Sequence, residues 1–442
     1  MSQEKLAIFG GPKTITHSFE LYNSIGAEEI AAAKAVVESG NLSQFLGCWD
    51  PDFYGGPKVQ EFERQSAKFF NVKHAITVNS LTSGLTAAVG AIGIEPGDEV
   101  IVSPWTMSAS ATAIIHWNAI PVFADIEPDT FCLDPKSVEE NITPYTKAIM
   151  AVDIFGQPAN MDALMDIAKR HNLKVISDSA QAPGAMYKDQ YAGTLADVGG
   201  FSLNYHKHIH TGEGAIMVTN DDDIAERMQL IRNHAEVVVE DKGVTNLNNM
   251  IGHNFRLGEI ECAIGIEQLK KLPAIVEKRQ NLAKRLSDGL SGLAGLKTPV
   301  VRDDCTHVYY VYPLILEDRL AIHKDKIHQA LLAEGVKIGK AYQQLHLIPM
   351  YQKKMAYGSK GFPWTSDICK RDVSYEKGIC PVAEQFNEST YMGLGLCVFD
   401  YTNDDIDLIV KAFQKVWTAL DTLVGQDNYE NYENTFRGIN SN

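Results

Sequence analysis

The 442-residue sequence has no clustered run of Lys and Arg, and its 40 basic side chains against 56 acidic ones leave a formal charge of −16. Nucleic-acid binding draws its affinity from clustered basic groups, so this balance argues against a general polyphosphate-binding surface. An anionic small molecule would have to be gripped locally. No stretch of about 18 apolar residues is present to span a bilayer. The opening MSQEKLAIFGG lacks the basic and long apolar regions of an export signal. Cysteine is sparse: Cys48, Cys132, Cys262, Cys305, Cys369, Cys380 and Cys397 are odd in number, scattered, and never spaced CxxC. That pattern argues against a disulfide framework or a zinc site and fits reduced thiols. The expectation is a soluble, unexported, cytoplasmic protein.

What is present, 45% hydrophobic and 22% charged residues, is the composition of an ordinary globular chain. Its length exceeds the roughly 250 to 300 residues at which single cores stop growing. We read an N-terminal arm, helix and aromatic loop over 1–54, a large domain over 55–275, a smaller α+β domain over 276–424, and a loose polar tail over 425–442. From Ile25 to Gly40 the pattern predicts an amphipathic helix with Ile30, Ala33 and Val37 at helical spacing. The aromatic segment Leu42 to Pro57, with Trp49, Phe53, Tyr54 and the Gly55-Gly56-Pro57 break, reads as a loop or lid.

Beyond it, short apolar runs alternate with longer helical stretches. Ala75 to Val78, Glu99 to Val102, Pro121 to Ala124, Ala148 to Val152, Lys174 to Ile176 and Ala215 to Val218 read as buried strands, and Leu81 to Ile92 and Met161 to His171 as helices. The fold class is therefore α/β, with a mostly parallel sheet flanked by helices, and ligands are expected beyond the carboxyl ends of its strands. A long helical region, Leu257 to Leu290, is expected to break at Pro273. A strand over Tyr309 to Leu316 and a helix over Asp404 to Leu420 mark the smaller domain.

Strand ends are where chemistry is sought. Lys174 to Ile176 runs into Ser177-Asp178-Ser179-Ala180-Gln181, which places Asp178 at the mouth of the sheet with Gln181 nearby; a structural cap is the alternative. In Gly199-Gly200-Phe201-Ser202 through Lys207 to Gly212-Glu213-Gly214, a lysine stands between a Gly pair and a second turn. Burial lowers a lysine's pKa and makes its amine a better nucleophile for a Schiff base, whereas an exposed loop lysine is the bland reading. His206, His208 and His210 alternate, so on an extended strand they would share a face and could bind a metal. Asn79-Ser80-Leu81-Thr82-Ser83-Gly84 opens a helix after a strand, either as a phosphate cradle or as a simple cap.

Taken in order, IGAEEIAAAKAVVESGNLS, GIEPGDEVIVSPWTMSASA, FGQPANMDALMDIAKRHNLKVISDSAQAPGA, FSLNYHKHIHTGEGAIMVTND, GHNFRLGEIECAIGIEQL and CPVAEQ resemble the sugar aminotransferases of the DegT/StrS type. These are pyridoxal 5'-phosphate enzymes of the aspartate aminotransferase fold, with a large domain and a smaller C-terminal one. The resemblance implies that Lys207 carries the cofactor covalently, Asp178 keeps the pyridine nitrogen protonated, and Gln181 meets the ring hydroxyl. It implies Thr82, Ser83 and Ser202 as phosphate contacts, and Asn254 of HNFR as a phosphate contact reaching across a homodimer with shared active sites. The implied substrates are a keto-sugar and an amino donor, glutamate. Within the family the implied sugar is 8-keto-3-deoxy-octulosonate for lipopolysaccharide, aminated to 8-amino-3,8-dideoxy-octulosonate; the alternative is a nucleotide-linked 4-keto-hexose.

The chain departs from the family at Met107, where an aromatic ring usually stacks on the cofactor, so either the thioether packs there or Trp105 substitutes. The segments Gln44 to Tyr54 and Tyr357 to Lys377 are longer than usual and are expected to border the substrate. Related dehydratases replace the lysine by histidine, and Lys207 disfavours that class. A non-catalytic or metal-binding protein of the same fold is the remaining rival.

Overall fold

The computed structural model describes residues 4–425; the polar tail therefore lies almost entirely outside the described residues. Runs such as VIV at 100–102 and AIMV at 215–218 are apolar at successive positions, as strands buried on both faces require. The strands β1 (His74–Val78), β2 (Glu99–Val102), β3 (Ile120–Phe123), β4 (Thr146–Val152), β5 (Lys174–Asp178), β6 (Met186–Tyr187), β7 (Gln190–Tyr191), β8 (Val198–Ser202) and β9 (Ala215–Thr219) follow one another. β6 and β7 pair as a small hairpin, and the other seven form one sheet in the order β1-β9-β8-β5-β4-β2-β3. Only β9 runs against its neighbours; β8, β5, β4, β2 and β3 are mutually parallel.

β8 is a strand that sequence patterning did not reveal, because Gly199 and Gly200 lower strand propensity. Close approach is what demands them. A Cβ on Gly199 would come within 2.0 Å of the Gly193 carbonyl, and one on Gly200 within 2.6 Å of Leu81 at the start of the helix Leu81–Ala91. Gly200 thus lets that helix begin directly against β8, while Gly199 lets the chain at Gly193 lie against the strand.

Two of the next three expectations are corrected. The helix Ala27–Ser39 exists, but Ile30 and Val37 are 64% and 56% exposed, while Glu29 and Val36 are buried. Glu29 is drawn inward by specific partners, accepting from the Gly26 N–H and from Gln268 Nε2 and pairing with Lys271. The aromatic segment is a loop as expected, with one ordered turn in it. Pro51–Tyr54 is a 3-10 turn, Pro57 starts the helix Pro57–Phe70, and Asn233 Nδ2 holds the Leu46 and Phe53 carbonyls at 2.8 and 3.0 Å. The helix Glu259–Leu290 runs through Pro273 without ending, since buried Leu269, Leu272 and Val276 carry the packed face across it.

That helix reaches a second apolar core, built around the antiparallel strands β10 (Leu296–Lys297), β11 (Tyr312–Leu316) and β12 (Tyr391–Leu394) and the helix Asn403–Thr418. Leu6, Ala7, Ile8, Ile15 and Phe19 belong to this core, whereas Phe53 packs with the large one. The first 54 residues are therefore shared between the two cores.

The segment Tyr357 to Lys377, expected to border the substrate, packs at the amino ends of the sheet. Arg371 pairs with Glu99 at the first residue of β2, and Tyr375 Oη donates to the Pro121 carbonyl near the start of β3. Phe123, Tyr351 and Tyr375 pack ring against ring. The segment covers the edge strand β3 and the amino ends of the sheet, a protection that exposed edges need. Among the described residues no helix is long and apolar enough to cross a membrane.

Arg371→Ala should leave the buried Glu99 carboxylate with the Thr143 hydroxyl as its remaining side-chain partner. A loss of about 1–3 kcal/mol in denaturant unfolding is expected, with turnover unchanged. A fall in turnover at unaltered stability would return this segment to the substrate's side of the sheet.

Candidate active site

The carboxyl ends of β2, β4, β5 and β8 deliver their following residues to one edge of the sheet, where Asp178 and Lys207 come near each other. Asp178 ends β5, is 3% exposed, and holds two donors: Ser110 Oγ at 2.6 Å on one carboxylate oxygen and the Ala180 N–H at 3.2 Å on the other. Burial lifts its carboxyl above the usual range, while those two bonds and the charge of Lys207 pull it back. Behind it, Asp153 after β4 donates its N–H to the Asp178 carbonyl and receives the Ser177 and Ser179 hydroxyls. Burial pushes the Asp153 carboxyl up to about 6.

Lys207 lies in the loop that leaves β8. The loop is closed by Leu203 N–H to the Gly214 carbonyl and Thr211 N–H to the Leu203 carbonyl, and Asn204 Nδ2 donates to both Glu213 oxygens. Gly212 and Gly214, at φ 88° and 149°, supply the backbone that this tight return needs. Lys207 is 7% exposed, its Nζ sits 4.2 Å from the centre of the Tyr310 ring, and no salt bridge joins it to Asp178. Burial brings its amine down to about 8, against the opposing pull of Asp178 and Cys397. It is a buried amine held near a carboxylate without touching it.

Gln181 is fixed at both ends of its amide, accepting from the Phe155 N–H at 2.7 Å and donating to Tyr342 Oη at 3.1 Å. Thr82 and Ser83 occupy the first turn of the helix Leu81–Ala91, whose Ser80 cap accepts the Ser83 N–H at 3.1 Å. Ser202 ends β8, one strand from Asp178. Asn254 is exposed, its side chain accepting from Arg256 Nε at 2.7 Å and its carbonyl from Asn79 Nδ2 at 3.4 Å.

Of the two candidates to face the cofactor, Met107 is 60% exposed at the N-cap of the helix Ser108–His116, and its carbonyl accepts from the Ser110 N–H. Trp105 is fully buried, stacked on Tyr342 and edge-on to Tyr391. The histidines do not alternate on a strand, because residues 203–213 form a loop. His208 is buried, with Nε2 2.7 Å from the Val308 carbonyl, and among the described residues no group of three His, Cys, Asp or Glu could hold a metal.

Ser110, Tyr310 and Tyr342 were missed. Ser110 sits in Thr106-Met107-Ser108-Ala109-Ser110, a hydroxylic strand-to-helix run of the same kind as Asn79 to Gly84, so a local signal existed. The two tyrosines come from more than 100 residues further along, and no local pattern marks them.

The DegT/DnrJ/EryC1/StrS aminotransferase family model matches residues 24–378. The chain belongs to this family. It is 36% identical over 325 residues to GDP-perosamine synthase of Caulobacter vibrioides, covering 73% of this chain and 86% of that one. Spore coat polysaccharide biosynthesis protein SpsC of Bacillus subtilis is 35% identical over 358 residues, covering 79% and 89%. The crystal structure of DesV from S. venezuelae superposes with a TM-score of 0.74 at 30% identity, covering 88% and 94%. The chain is accordingly a pyridoxal-phosphate-dependent sugar aminotransferase of the aspartate aminotransferase fold.

The amine at Lys207 sets a pH dependence. Below about 8 it is protonated and unreactive, so, on the reading proposed below that Lys207 takes the cofactor, the rate at which cofactor-free protein captures pyridoxal phosphate should rise about tenfold per pH unit and level off above 8. Stopped-flow absorbance measures it; a rise continuing to pH 10 would show an ordinary exposed lysine.

Proposed function

We propose that this chain transfers an amino group from an amino acid, glutamate, to a keto-sugar, with Lys207 as the residue that binds the cofactor covalently. The observation that carries this reading is the buried Lys207 amine, near Asp178 without a salt bridge to it, at the carboxyl edge of the sheet. The donor set fits pyridoxal phosphate: an amine free to condense, a carboxylate for a ring nitrogen, an amide for a ring hydroxyl, and a helix N-terminus with Thr82, Ser83 and Ser202 for a phosphate. When bound, pyridoxal phosphate supplies the electron sink.

The chain's own groups do the rest. Asp178, held by Ser110, keeps a proton on the ring nitrogen through its negative charge. Lys207 Nζ, once displaced by the donor's amine, takes the proton from the donor's α-carbon and in the second half-reaction returns one to the carbon that gains nitrogen. Met107 flanks the same site. The amino group leaves glutamate as 2-oxoglutarate and arrives on the sugar's keto carbon, so the exchange is redox-neutral.

For the acceptor we propose 8-keto-3-deoxy-octulosonate, giving 8-amino-3,8-dideoxy-octulosonate for lipopolysaccharide. The second reading, a nucleotide-linked 4-keto-hexose, is favoured by the likeness to GDP-perosamine synthase. A screen of glutamate-dependent amination across free and nucleotide-linked keto-sugars separates them. Activity on a free octulosonate alone is expected, absent in Lys207→Ala. Turnover of nucleotide-linked sugars alone would replace the first reading by the second.

We further propose a homodimer in which Asn254 serves the partner's phosphate site. A Lys207→Ala chain and an Asn254→Ala chain then carry defects in different composite sites, and each mixed dimer keeps one intact site. Reassembling the two inactive proteins should restore up to about half the normal activity per mixed dimer. Mixed dimers that form without recovery would place Asn254 in its own chain's site, beside Asn79.

A further inference from the structure

The amide of Gln181 has one permitted orientation. The Phe155 N–H can only donate, so the carbonyl end of Gln181 must face it and the NH2 end must face Tyr342. One Nε2 hydrogen goes to Tyr342 Oη, which leaves the other for a further acceptor.

Tyr342 is itself tightly placed. Its ring stacks on Trp105 at 5.5 Å, and its backbone N–H donates to Asn387 Oδ1 at 2.9 Å. The Asn387 carbonyl in turn receives Lys324 Nζ at 2.6 Å. Asn387 lies in the π-helical turn Phe386–Thr390, a rare geometry that is frequent at functional sites. Lys324 is 4% exposed, so its charge is committed to this turn. Burial pushes the Tyr342 phenol up to about 12, so it stays protonated across the working range.

We propose that Tyr342 is a positioning residue: by accepting one hydrogen of Gln181 Nε2 it aims the other at the cofactor's ring hydroxyl oxygen. This rests on the assignment of Gln181 to that hydroxyl made above. An N–H donated there stabilises the oxygen's anionic form. Losing the aim makes the oxygen more basic and raises the pH at which the bound cofactor's visible absorbance changes.

The test uses holoenzyme carrying Tyr342→Phe, Gln181→Met, or both. The readouts are the pH midpoint of the cofactor's absorbance and its dissociation constant, with circular dichroism to check the fold. Tyr342→Phe should raise the midpoint and weaken cofactor binding roughly threefold to tenfold, the cost of one hydrogen bond. Gln181→Met should do at least as much, and the double variant no more than Gln181→Met alone.

A shift in Gln181→Met with none in Tyr342→Phe overturns the proposal while the assignment of Gln181 stands. A Tyr342→Phe effect that persists in full on the Gln181→Met background overturns it as well, since Tyr342 would then act on the cofactor directly. No shift in either removes the Gln181 assignment and the proposal with it. Should Tyr342→Phe not fold, Asn387→Ala frees the Tyr342 backbone and must raise the midpoint too; an unchanged midpoint there overturns the proposal.

Discussion

A lysine and an aspartate are both removed from water at the carboxyl edge of one sheet, and no salt bridge joins them. Taking either charge out of water costs several kcal/mol, and an unmatched pair persists only where the surroundings supply partners. Here the partners are the Ser110 hydroxyl and the Ala180 N–H on Asp178, and the face of the Tyr310 ring under Lys207. Each comes from a different element. The sheet order brings the ends of β4, β5 and β8 side by side, and the helix that follows β2 brings Ser110 across to them. The topology is thus what makes the costly pair tolerable.

The chain that carries the second core also supplies the same site, with two tyrosines that pack against the large core. Tyr310 leads into β11, and Tyr342 leaves the bridge between Gly339 and Gly393 and reaches Gln181. Past Ile338 the chain leaves the second core, passes Tyr342, runs along β3 to the amino ends of the strands, and returns at Val382 and Ala383, whose N–H groups bond Asp125. A long excursion of this kind is tolerated because loop-closure entropy grows slowly with length. Its aromatic residues Tyr351, Trp364 and Tyr375 then bury apolar area over an edge that would otherwise be open. Catalytic positioning and edge protection are consecutive duties of one segment.

The sequence was most legible where one residue type has one physical cause. The apolar runs of β2, β4 and β9 left little but a buried strand, and Asp178 and Lys207 stood out because a strand end and a glycine bracket are local features. Legibility failed where the cause was distant. Ile30 and Val37 were expected to face inward, yet Glu29 won the interior through Gln268 and Lys271, more than 200 residues away. Gly199 and Gly200 hid a strand because their reason is the neighbour's approach. Tyr342 could not be anticipated, since its partner Gln181 lies 161 residues off in sequence.

The outward face of the helix Ala27–Ser39 carries the argument one step further. A helix that turns a carboxylate inward and two aliphatic side chains outward has inverted the arrangement that a lone surface helix adopts. Leu21, Leu42, Leu46 and Trp49, from the same stretch of chain, are also exposed. Exposed apolar side chains gathered in one stretch are costly in water and commonly mark a contact surface. The proposed homodimer supplies a cover for them, and it does so with the stretch whose aromatic turn is bonded to Asn233, itself bridged to Asn254. Association and the completion of the phosphate site would then depend on the same segment, which gives the inverted helix a physical reason that a monomer does not.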